Sequence, residues 1–284
     1  MLQRFTVTDG IHLTADVLGE PGSPAVILMH GGGQTRHSWH AASTALARQG
    51  YYVINYDARG HGDSDWSPQG EYSLELFAAD LKDIIRTLPR PPALVGASMG
   101  AATSLFAVGN SPPHLVQAMV LVDFVPEVER EGSERIRSFM NANMGGFATL
   151  EEAADAVSRY YPHRPRPTNI SGLMKNLRRR DDGRLYWHWD PRFVTRRERG
   201  EPPQFSSKLS DAATRVQVPT LLVRGLLSDI VSDRGVASLR AQLPSLAVLD
   251  VAGAAHMVAG DKNDKFNQGV IGFLQQQMPA RPVS

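Results

Sequence analysis

Leu94-Val95-Gly96-Ala97-Ser98-Met99-Gly100-Ala101-Ala102 is the stretch on which the reading of this chain turns. An apolar run closes on a glycine, a serine stands midway between two glycines, and small residues open the segment that follows. This is G-x-S-x-G placed after a buried strand and before a helix. A serine at the tip of a tight strand-to-helix turn takes a strained backbone conformation, and side chains two residues to either side would crowd it. Gly96 and Gly100 leave that space empty. Ala101 and Ala102 let the helix approach the sheet, and the start of the helix sets N–H groups and the positive end of its dipole beside the hydroxyl.

Working outward, the same kind of apolar run recurs on both sides. Ala25–Met29, Tyr51–Tyr56, Ala93–Val95, Ala118–Val122, Thr220–Val223 and Ala247–Val251 read as strands buried on both faces of a parallel sheet. Before them, alternation from Phe5 to Val17 around Asp9-Gly10 predicts an antiparallel hairpin. Between runs lie helical periods. The clearest is Leu74, Phe77, Ala78, Leu81, Ile84, Ile85 and Leu88, with Ser73 as N-cap and Pro89 as the stop. Strand alternating with helix predicts an α/β fold with a doubly wound sheet. One interval breaks the pattern: from Pro126 to about Val218 no buried strand run appears. A structureless loop that long does not suit a compact domain, so residues 126–212 are expected to form a helical cap inserted into a core of residues 1–125 and 213–284.

Composition narrows the classes. With 284 residues, 42% of them hydrophobic and 21% charged, the chain reads as a globular domain rather than a disordered one. A net charge of +1 argues against a nucleic-acid or membrane-surface binder. The first ten residues lack an apolar signal core and no apolar stretch is long enough to span a bilayer, so the expected location is cytoplasmic. Cysteine is absent, which removes disulfides, thiolate nucleophiles and Cys-based metal sites together. No histidine pair has metal-ligand spacing with a carboxylate, so no metal is expected. The near-neutral total conceals a division within the insertion: residues 126–160 carry seven acids and four bases, and 161–210 twelve bases and five acids. That fits a solvated surface of ion pairs or, alternatively, attraction for an anionic substrate or partner.

A serine hydroxyl needs a base, itself oriented by an acid. His256 follows the last strand run, and Asp229 follows the run Leu221-Leu222-Val223. The order Ser98, Asp229, His256 is the one this architecture uses. Together with His30-Gly31-Gly32-Gly33 and Asp57-Ala58-Arg59-Gly60-His61-Gly62-Asp63-Ser64, these residues resemble the α/β-hydrolase superfamily across nearly the whole chain outside the cap. That resemblance implies an eight-stranded, mostly parallel sheet flanked by helices, a Ser–His–Asp triad, an oxyanion hole and no cofactor. It also leaves Asp123, at the end of Val120-Leu121-Val122, as a competing triad acid. For the oxyanion hole, Gly32 and Met99 are expected to act through their backbone N–H groups, with Gly33 as the alternative to Gly32 and a residue at the substrate. His30 and His61 belong to turn motifs in which histidine bonds to backbone. In the cap, Trp187 within Tyr186-Trp187-His188-Trp189-Asp190-Pro191 reads equally as substrate wall or packing anchor.

Serine at the elbow, where dehalogenases and most epoxide hydrolases of this fold carry aspartate, favours acyl transfer. The layout is similar to bacterial carboxylesterases, lactonases and cofactor-free perhydrolases. The expected activity is therefore hydrolysis of a small-molecule carboxylic ester or lactone. Carbon–carbon bond hydrolysis, peracid formation and a ligand receptor without turnover are the alternatives. A homo-oligomer is left open.

Overall fold

The computed structural model describes residues 1–161, 166–198, 204–255 and 263–281. β1 (Leu2–Thr6) and β2 (His12–Leu18) form the expected hairpin, and β2 pairs antiparallel with β4 (Tyr52–Tyr56). From β4 onward every pairing in this sheet is parallel. β3 (Ala25–Met29), β5 (Ala93–Ala97), β6 (Ala118–Val122), β9 (Thr220–Gly225) and β10 (Ala247–Val251) follow in the order β1-β2-β4-β3-β5-β6-β9-β10. The chain thus has the α/β hydrolase fold, with eight strands and an antiparallel start.

Burial on both faces explains the continuous apolar runs. In β3, Ile27 and Met29 pack on one side with Leu81 of α2 (Leu74–Arg86) and Leu105 of α3 (Met99–Gly109). Val26 and Leu28 pack on the other with Leu46 of α1 (His40–Arg48) and Phe266 of the helix Asn263–Gln277. Ser73 caps α2 as its sequence predicts, its Oγ accepting from Leu76 N at 3.3 Å. One strand departs from expectation. β10 is an edge strand with a single neighbour, so only Val251 of Ala247–Val251 is fully buried.

The insertion holds α4 (Arg130–Asn141), α5 (Leu150–Tyr160), a hairpin of β7 (Leu177–Arg179) and β8 (Leu185–Trp187), and α6 (Pro191–Glu198). The hairpin was not foreseen, because three-residue strands leave too short an apolar pattern to read. α7 (Phe205–Ala213), which the sequence boundary at 212 groups with the cap, packs instead on α3 of the core. A side-chain carbon on Gly109 would overlap the Ala212 backbone, so the two helices approach closely. The cap is latched to the core by its 188–193 segment. Gly62 N donates to His188 Nδ1 at 2.7 Å, Asp190 N to Gly60 O at 2.9 Å, and Tyr72 Oη to the Asp190 carboxylate. Phe193 sits edge-on to His61, Tyr72 and Phe77. Among the described residues no helix is long and apolar enough to cross a membrane.

Candidate active site

Ser98 stands between β5 and α3 with φ 47° and ψ −108°, a conformation that side chains rarely adopt. Its N–H donates to Val122 O of the neighbouring strand at 3.2 Å, and its carbonyl accepts from Ala102 N at 2.9 Å, so backbone bonds on both sides hold the turn. The flanking glycines are required sterically. A side-chain carbon on Gly96 would overlap the Gly100 backbone, and one on Gly100 would run into Met29 of β3. The glycines therefore protect the helix–sheet contact as well as the turn.

The glycine loop lies against the elbow: a side-chain carbon on Gly31 would come 3.5 Å from Ser98 Cβ. Its amides have different fates. Gly31 N donates to Gln34 Oε1 at 3.1 Å and Gly33 N to His61 Nε2 at 3.2 Å, whereas among the described residues no acceptor takes the amide of Gly32. The amide of Met99, first residue of α3, likewise has no acceptor among the described residues. Gly33 adopts φ +76° and abuts Met140 and Trp189. The histidines here serve the backbone. His30 accepts from Ala58 N at 2.9 Å through Nε2 and donates from Nδ1 to Gly31 O at 2.8 Å. His61 accepts from Gly33 and donates to Arg59 O at 3.0 Å. His188 accepts from Gly62 and faces Gly33 O at 3.4 Å. In each ring one nitrogen accepts and the other faces a carbonyl, and burial lowers the pKa of His30 and takes that of His188 down to about 3.

The two candidate acids differ sharply. β6 pairs directly with β5, Val122 opposite Ala97, so Asp123 leaves its strand beside Ser98. It is fully buried, adopts φ 47°, and its carboxylate accepts from Gly225 N at 3.1 Å and Ser228 Oγ at 2.5 Å. Asp229, four residues beyond β9, leaves 32% of its side chain exposed and pairs with Arg135 of α4 at 2.7 Å. His256 lies outside the described residues, after β10.

Ser98 opens onto two adjoining pockets. One is walled by Met99, Phe124, Ile230 and the inner face of α4; the other by Gly31, Gly32, Gly33, Phe139, Tyr160 and Trp189. Ile136 and Met140 line both. Trp187 sits behind this wall, stacked on Trp189 with centroids 5.1 Å apart and edge-on to Phe147 at 5.2 Å, so it packs the cap while Trp189 meets the pocket. Tyr160 stacks on Phe139 at 4.3 Å, and burial raises its hydroxyl pKa to about 12. Sequence reasoning flagged the aromatic stretch 186–191 but chose Trp187 from it rather than Trp189, and missed Tyr160 and the α4 residues Ser133, Ile136 and Arg137. The i, i+3, i+4, i+7 spacing of Ser133, Ile136, Arg137 and Met140 was the signal available for the last group.

Fold and elbow together define a hydrolase of α/β architecture. The chain belongs to the α/β hydrolase fold family, whose model matches residues 24–262. It is 30% identical over 259 residues to Esterase Rv0045c of Mycobacterium tuberculosis, covering 89% of this chain and 83% of that protein. It is also 30% identical over 247 residues to 2-(acetamidomethylene)succinate hydrolase of Mesorhizobium japonicum, covering 87% and 86%. A crystal structure of E-2-(acetamidomethylene)succinate hydrolase superposes with a TM-score of 0.85 at 27% identity, over 97% of this chain and 99% of that one.

Proposed function

We propose that this hydrolase cleaves a small-molecule carboxylic ester or lactone through an acyl-enzyme on Ser98. The observation that carries the reading is the strained Ser98 elbow opening onto both pockets, beside a glycine loop whose Gly32 amide has no acceptor among the described residues. Ser98 Oγ adds to the carbonyl carbon while His256 takes the hydroxyl proton. The amides of Gly32 and Met99 receive the oxyanion, and Gly33, its own amide taken by His61, shapes the wall. His256 returns the proton to the leaving alkoxide; water then attacks the acyl carbon with His256 again as base, the bond to Ser98 Oγ breaks as His256 gives that oxygen the proton, and the acid product leaves.

For the acid that orients His256, the reading favours Asp123 over the sequence-preferred Asp229. An orienting carboxylate works best when desolvated and held in place, as Asp123 is, and Asp229 is only half-buried and engaged by Arg135. The kinship with an esterase supports ester chemistry. Labelling with a fluorophosphonate, read by mass spectrometry, should place a single adduct on Ser98, and Ser98→Ala should abolish turnover of p-nitrophenyl esters. An adduct elsewhere, or undiminished turnover by the variant, overturns the reading.

A further inference from the structure

The pocket between Ser98 and α4 holds one cation among its described lining residues, Arg137, and no carboxylate. Ser133, Ile136, Arg137 and Met140 share one face of α4, so the guanidinium stem lies on the side turned toward the pocket. The other arginines of this helix are matched: Arg130 with Glu134 at 2.6 Å and Arg135 with Asp229 at 2.7 Å. Arg137 is half-buried, and no described residue forms a hydrogen bond or ion pair with it. Glu134 feels its charge but is exposed and committed to Arg130. Beyond Ser98 and Ser133, the remaining described walls are apolar, with Phe124, Val128, Val194 and Ile230 among them.

A half-buried guanidinium beside apolar walls and without a protein partner keeps its donors available to an entering anion. Its planar fork of donors matches a carboxylate bidentately. We infer that Arg137 selects substrates carrying a carboxylate on the part that occupies this pocket, so that the natural ester is anionic. The inference rests on the proposed Ser98 chemistry and deepens it.

The test compares kcat/KM for two matched ester pairs. Phenyl hydrogen adipate against phenyl hexanoate puts the charge on the acyl side; 4-carboxyphenyl hexanoate against 4-carbamoylphenyl hexanoate puts it on the leaving group. In at least one pair, the wild-type protein should prefer the charged ester. Arg137→Gln should lower the charged-to-neutral ratio about ten- to a hundredfold, mainly through KM, and Arg137→Lys should restore part of it. Ratios that are the same in wild type and Arg137→Gln for both pairs overturn the inference while leaving the esterase reading intact. If wild type turns over none of the four, the esterase reading fails, and calorimetric binding to Ser98→Ala decides the inference separately. Tighter binding of the charged ester than of its neutral match in at least one pair, lost on adding Arg137→Gln, supports it; equal binding in both pairs overturns it.

Discussion

Asp123 and Asp229 both follow parallel strands of one sheet, yet the fold treats them in opposite ways. Asp123 is enclosed, held in a left-handed turn and bonded by a backbone amide and a serine hydroxyl of the β9 turn. Asp229 reaches outward and is held by an arginine of the cap. The contrast separates two halves of the site. Its core side is built by strand-end loops whose backbone bonds fix each group, and its cap side by side chains that meet across an interface.

The largest effect expected is at the shared centre: Ser98→Ala should fold normally and lose turnover of small esters on the order of 10⁵-fold in steady-state assays. Next, Asp123→Asn keeps shape and the acceptor for Gly225 but removes the charge that supports a protonated histidine. It should lower kcat on the order of 10⁴-fold, while Asp229→Asn should cost less than about tenfold. The reverse ranking would return the acid to Asp229 and break the comparison. On the cap side, Trp187→Ala removes a buried ring stacked on Trp189. It should destabilise the protein by about 3 kcal/mol in urea unfolding, with a smaller change in kcat than either core variant.

The smallest effect sharpens the interface itself. His188 is folded as a neutral ring with its pKa lowered to about 3, so the unfolded chain binds the proton more readily. Its contribution is therefore complete above about pH 6.5 and is lost as pH falls below that value, roughly 2 kcal/mol by pH 5. Stability measured by denaturant between pH 7 and 5 should fall more steeply for wild type than for His188→Gln. Parallel slopes would show that the ring titrates alike in both states.

Much of this was legible from residues alone. Apolar runs marked six strands of the main sheet and alternation marked the β1–β2 hairpin, the central runs being apolar because they are buried on two faces, and Gly96 and Gly100 announced a serine turn that nothing larger would fit. The cap was legible only as an interruption. Its hairpin is too short to show a period, and α7 carries the same amphipathic pattern whether it packs on cap or core.

What the sequence by itself determined is the local chemistry: an α/β sheet, a strained serine, a glycine loop, and acids and a histidine spaced past strand ends. Only the tertiary structure decided which groups differ in state. It buries Asp123 and leaves Asp229 to an arginine, gives the Gly33 amide to His61 while that of Gly32 finds no acceptor among the described residues, and turns Trp189 rather than Trp187 to the pocket. The physical reason is common to all three. Desolvation and hydrogen-bond partnership depend on neighbours far away in the chain, and neighbouring residues in the chain can have entirely different ones.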